Sequence, residues 1–315
     1  MALFDGLVVA LLWLLLHRAG WGQRGAALGA ALYLAPAPLM TSFSVGEYAN
    51  IGGQFMALPV LALLAWTDDA WETWEYRLAL LALLCVGMLG HMGVALSLTL
   101  VLIVWGGVAL APLLPFLPSR PALRPTLVRG TEFLLTGAAA AGIVVGVYYS
   151  SPTFMPLLAQ RLAGETDPAS KPAAPLPGAG ALLDIAARFL PAHSKLLPLL
   201  LLCGAAGAVL LWLRCQNPAD RGTITELASP CSSFSRVVVA WWGGVLLSLG
   251  LFLFVRQGVR WEPFLYPVLC LGAGPLLAAL WRRGRAGALV AGVGVLLPVG
   301  YGLMVWIERL RFAYH

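Results

Sequence analysis

The chain has 315 residues, a formal net charge of +6, 60% hydrophobic residues, 11% charged residues and a mean hydropathy of +0.85. Soluble domains carry about 25% charged residues, so a soluble globular fold is excluded and lipid is the solvent that suits this composition. The positive charge does not point to nucleic acid, because the basic residues stand singly at the ends of apolar runs instead of clustering on one face.

A chain in lipid must pair its backbone polar groups internally, as helices or as a closed barrel. The apolar runs here are continuous and lack the period-two alternation of barrel strands. The expected class is therefore all-α, a polytopic integral membrane protein of about 9–10 transmembrane helices. In chain order the spans are drawn at residues 4–17, 25–41, 53–66, 77–92, 93–115, 130–149, 195–214, 236–255, 263–281 and 286–307. Those at 4–17 and 53–66 are the shortest relative to a bilayer. The chain reads as one transmembrane unit: six helices over 1–149, an outer loop over 150–194 and four helices over 195–315.

Asp5 precedes the first run, and His17, Arg18 and Arg24 follow it. A cleavable signal carries its charges in the opposite order. The positive-inside rule then puts both termini on the extracytoplasmic side of the cell membrane, with Arg120, Arg124, Arg129, Arg282, Arg283 and Arg285 in cytoplasmic segments. The segment TDDAWETWEYR (67–77) is also cytoplasmic in this topology, and acids count for little in the rule. The outer loop contains a Pro/Ala/Gly-rich linker, ETDPASKPAAPLPGAG. After it, ALLDIAARFLPAH places Leu182, Leu183, Ile185, Phe189 and Leu190 on one helical face, opposite Asp184 and Arg188. This is an amphipathic helix suited either to the membrane interface or to packing on other outer loops.

Ionisable and polar groups at membrane depth are costly and mark candidate sites. Four lie on the outer side. Asp5 opens the first span. The segment FSVGEYANIGGQ (43–54) brings Glu47, Tyr48, Asn50 and Gln54 together, with Gly46, Gly52 and Gly53 available for tight turns. His91 stands in LGHMG between two spans with scarcely a loop. In VRQGVRWEP (255–263), Arg256 and Arg260 are spaced i, i+4, and two guanidiniums suit a phosphate, whether of a substrate or of a lipid headgroup. Cys215 and Cys231 share a loop without the spacing of a zinc site, and no Walker, GxSxG or HExxH motif occurs.

Several of these segments carry a resemblance. The Asp that opens a span, the basic turn HRAGWGQR, the phrase GEYANIGGQ, the GHMG step and the arginine-bearing VRQGVRWEPFLYPVLCLGAG together resemble bacterial membrane glycosyltransferases of the GT-C class. GEYANIGGQ resembles the GGYxN…Q loop of one group of these proteins, and GHMG resembles their Thr/Ser-His turn. The likeness covers about half of the chain. It implies transfer of a sugar from a polyprenyl-phosphate donor on the extracytoplasmic face. An acidic residue would act as general base or help hold a divalent metal, and the arginines would neutralise the lipid phosphate.

Carried onto this sequence, Arg256 and Arg260 match the phosphate-binding loop, while Glu47, Tyr48, Asn50, Gln54 and His91 match positions near the substrate. The class places its acidic first outer loop upstream of the segment that Asp5 opens. The expectation is thus the C-terminal part of such an enzyme, or a chain in which Asp5 or Glu47 substitutes. The alternatives are a non-catalytic scaffold or accessory subunit that binds lipid or a membrane partner subunit, and a small-solute transporter or flippase. The latter would show paired broken helices at mid-membrane, and no internal repeat is visible.

Overall fold

Each apolar run is long enough for its backbone to pair within itself, and the chain takes that course. The structure, a computed structural model, describes residues 2–35, 48–66, 73–110, 123–152, 155–156, 196–216, 228–255 and 262–313. The long elements among the described residues are ten α-helices: α1 (Ala2–Leu16), α2 (Gly22–Ala31), α3 (Tyr48–Trp66), α4 (Trp74–Gly90), α5 (Met92–Leu110), α6 (Leu123–Val144), α7 (Leu197–Gln216), α8 (Ala228–Val255), α9 (Glu262–Trp281) and α10 (Arg285–Ala313). The protein is an all-α polytopic membrane protein.

Five of these helices hold segments long and apolar enough to cross a membrane: Gly93–Leu110, Val128–Tyr149, Ser233–Leu251, Phe264–Trp281 and Arg285–Arg311. They coincide with five of the ten spans drawn from sequence. Ile51–Trp66 and Leu199–Leu211 are shorter apolar helices. The expected span 25–41 is helical only over Gly22–Ala31, and residues 36–47 lie outside the described residues. The amphipathic segment 182–190 also lies outside them.

Local signals account for several helix ends. Thr73 caps α4, its hydroxyl accepting from the Tyr76 N–H at 3.4 Å. The turn between α1 and α2, His17–Trp21, widens to π geometry, and Gly20 takes φ 84° there, a conformation that suits glycine alone. Prolines interrupt α3, α9 and α10 at Pro59, Pro267, Pro275 and Pro298 without ending the helices. Shielding by neighbouring helices makes that tolerable in a membrane bundle.

Helix α9 is the axis of the bundle. It packs against α1, α2, α3, α7, α8 and α10, and 78% of its apolar segment is buried in protein, against 17% for that of α6 and 22% for that of α10. The last two present most of their apolar surface outward, as lipid-facing helices do. Lipid tails are as apolar as leucine, so close van der Waals packing through small residues has to hold such helices together. Gly207 of α7 lies against the Gly272 carbonyl of α9, and Gly272 lies against Gly204, with no room for a Cβ at either crossing. Gly29 of α2 meets Gly274 and the Cys270 carbonyl of α9 in the same way.

These crossings sort the helix ends into two groups. Arg18 lies 5.2 Å over the Trp66 ring, so the α1–α2 turn and the end of α3 share one end of the bundle. The Arg77–Glu132 ion pair, 2.7 Å long, ties the first turn of α4 to the body of α6 there. At the opposite end Gly53 meets Gly90 and His91, the Tyr149 hydroxyl donates to the Met88 carbonyl at 3.1 Å, and Tyr33 packs edge-on against Tyr266. These are the Arg77 end and the His91 end.

Candidate functional site

The segment YANIGGQ opens helix α3, where sequence had suggested a glycine-rich loop with tight turns. Its glycines serve contact instead of turning. A Cβ on Gly53 would stand 3.3 Å from the Gly90 carbonyl carbon and from the His91 Cβ, and one on Gly90 would stand 2.6 Å from the Gly53 Cα. Two bare backbones therefore touch, and this contact sets Gly53 of α3 beside the α4–α5 junction at His91.

Gln54 follows directly. It is 2% exposed, and its Nε2 donates to the Tyr33 hydroxyl at 3.0 Å. Its Oε1 is buried and has no hydrogen-bond partner among the described residues. Buried amide oxygens are rarely left so, because the unmade bond costs about 1–3 kcal/mol. Tyr33, at the end of α2, stacks edge-on with Tyr266 of α9 at 6.0 Å between ring centres. Tyr33, Gln54 and Tyr266 are all buried, so a small uncharged polar cluster sits inside the bundle near its His91 end.

His91 occupies the single residue between α4 and α5, in an extended conformation (φ −168°, ψ 137°). Its Nδ1 accepts from the Gly93 N–H at 3.1 Å, and its carbonyl accepts from the Ala95 N–H at 2.8 Å. The imidazole thus caps the first turn of α5. A ring nitrogen that accepts carries no proton, so a neutral ring in this pose carries its proton on Nε2. The pose makes His91 a helix cap.

The remaining candidates are placed only by backbone or by their neighbours. Asp5 lies in the first turn of α1, and Tyr48 and Asn50 lie in the first turn of α3. Glu47, Arg256 and Arg260 lie outside the described residues. Glu47 directly precedes Tyr48, and residues 256–261 join Val255 to Glu262, one helical turn before Tyr266. Among the described residues no three His, Cys, Asp or Glu side chains gather as metal ligands do.

Sequence reasoning singled out Gln54 and His91, and the structure brings their segments together. It missed Tyr33 and Tyr266. Their signal was a phenol inside an apolar run, in ALYLAP and FLYPV, which also reads as an ordinary interfacial anchor. No family model, curated protein or solved structure matches the chain.

Proposed function

We propose that the chain is a membrane glycosyltransferase of the GT-C kind, or a part of one, that takes a sugar from a polyprenyl-phosphate donor at the His91 end. The observation that supports this reading is the gathering, at one end of a lipid-suited bundle, of the buried Gln54–Tyr33 pair and the Gly53–His91 contact. Arginines favour a cytoplasmic location for the other end, where Arg18, Arg77, Arg282, Arg283 and Arg285 lie, so the His91 end faces outward.

In this reading Arg256 and Arg260 hold the lipid phosphate, and a carboxylate, Glu47 or Asp5, takes the proton from the acceptor hydroxyl. The acceptor oxygen bonds to the anomeric carbon as the bond from that carbon to the phosphate oxygen breaks. The polyprenyl phosphate leaves with its charge neutralised by the arginines. His91, Tyr48, Asn50 and Gln54 surround the sugar. A divalent metal, if used, would sit with the carboxylate.

The test is binding of undecaprenyl phosphate to the purified protein in nanodiscs, read by native mass spectrometry. Wild type binds, and the Arg256→Ala/Arg260→Ala double variant loses at least about tenfold in affinity, because a charge-assisted contact contributes about 1.5–3 kcal/mol. Equal binding by the double variant would overturn the phosphate assignment.

A further inference from the structure

We propose that Gln54 is the residue that distinguishes a sugar-bearing lipid from the bare lipid phosphate, its Oε1 accepting a hydrogen bond from a sugar hydroxyl. This rests on the reading above and assigns one recognition contact within it. Gln54 is 2% exposed, its Nε2 is committed to the Tyr33 hydroxyl at 3.0 Å, and its Oε1 has no partner among the described residues. With Nε2 toward the Tyr33 hydroxyl the amide turns Oε1 away from it, and Tyr266 packs edge-on against that phenol at 6.0 Å. The result is a buried acceptor with its bond unmade.

The chemistry of the ligand follows from this. A bare lipid phosphate is mostly dianionic at neutral pH, so it seldom has a hydrogen to give an amide oxygen and would bring charge toward a buried atom. A hydroxyl can donate to it without introducing charge into a buried setting, where an unpaired charge would be far more costly. A neutral polyol fits the position, and a sugar on the same lipid supplies one. A site built to bond a hydroxyl also disfavours a ligand that lacks it, since the buried polar atom then stays unpaired.

The experiment compares undecaprenyl phosphate with undecaprenyl-phosphoryl sugars carrying a pentose, a hexose or an N-acetylhexosamine, each titrated into the protein in nanodiscs and read by native mass spectrometry. Wild type binds at least one sugar lipid about tenfold more tightly than the bare phosphate. Gln54→Met, which keeps side-chain length and removes the acceptor, loses the preference, the ratio of sugar-lipid to bare-phosphate affinity falling to about one. Tyr33→Phe frees the amide to turn and weakens the preference in the same direction. Melting guards against misfolding: Gln54→Met removes the unpaired acceptor together with the donor to the Tyr33 hydroxyl, two effects of opposite sign, and a retained cooperative melting transition shows that the variant folds.

A sugar preference retained by Gln54→Met overturns the assignment and leaves the glycosyltransferase reading standing. Wild type that binds bare phosphate and shows no preference for any sugar lipid also overturns it. Wild type that binds none of these lipids removes the underlying reading, and the assignment with it.

Discussion

Two tethers in this bundle are alike in chemistry and differ in setting. The Trp241 indole N–H donates to the Phe264 carbonyl at 2.8 Å, and both residues are fully buried. The Tyr149 hydroxyl donates to the Met88 carbonyl at 3.1 Å, and that bond is only partly buried. Trp241→Phe loses a fully buried bond that no solvent can replace and leaves a void where the indole packed, while water or headgroups can replace the bond of Tyr149. Trp241→Phe is therefore expected to cost about 1–3 kcal/mol of stability and Tyr149→Phe less than about 1 kcal/mol, compared by unfolding of the two variants in mild detergent. Equal losses would mean that burial does not set the value of these bonds. The same contrast explains which site residues could be read from sequence. A glutamine or histidine is out of place in an apolar run, so Gln54 and His91 declared themselves. Tyr33 and Tyr266 did not, because tyrosine is common wherever a helix meets the membrane interface, and only their edge-on contact ties them to Gln54.

At the scale of elements, apolar runs located the helices, because in lipid a long apolar stretch has hardly any other regular structure open to it. What they could not locate was where α3 begins. Glycines and an asparagine argue for a loop on local propensity, yet Tyr48–Gln54 is helical because Gly53 must sit flush against Gly90. That is a partner 37 positions away in the chain by residue number, invisible to any local pattern. Close glycine contacts of this kind hold the helix pairs, and they yield a contrast. At Gly272 a Cβ would run into the backbone of Gly204, and backbone cannot swing aside as a side-chain tip can. Gly272→Ala must spread α7 from α9, with an expected loss of about 1–3 kcal/mol. Gly106 of α5 has nothing within 4 Å of its would-be Cβ. Gly106→Ala there should be neutral or stabilising by up to about 1 kcal/mol, since alanine is the better helix former. Melting temperatures of the two variants in the same detergent decide the matter, and a harmless Gly272→Ala would show that the α7–α9 crossing is looser than drawn.

At the scale of the whole molecule, the question is which end faces the cytoplasm. The contacts fix sidedness in relative terms. Arg18 with Trp66, Arg77 with Glu132 and the Trp281–Arg285 turn belong to one end, and Tyr33, Gln54, His91 and Tyr149 to the other. Those groupings coincide with the alternation drawn from the order of charges along the sequence, which is a local rule applied loop by loop. Absolute orientation then rests on the arginine excess at the Arg77 end, because positive segments resist export across the membrane. The consequence can be measured in intact cells. With the five native cysteines replaced by alanine, a single cysteine is introduced at Ser151, beside Tyr149, or at Ala286, in the first turn of α10. A membrane-impermeant thiol reagent should label Ser151→Cys in whole cells and label Ala286→Cys only after the membrane is opened. The opposite pattern would put the Gln54–Tyr33 pair on the cytoplasmic face. A sugar donor exposed outside the cell membrane could not then reach it, so the glycosyltransferase reading would fail even if the protein bound polyprenyl phosphate.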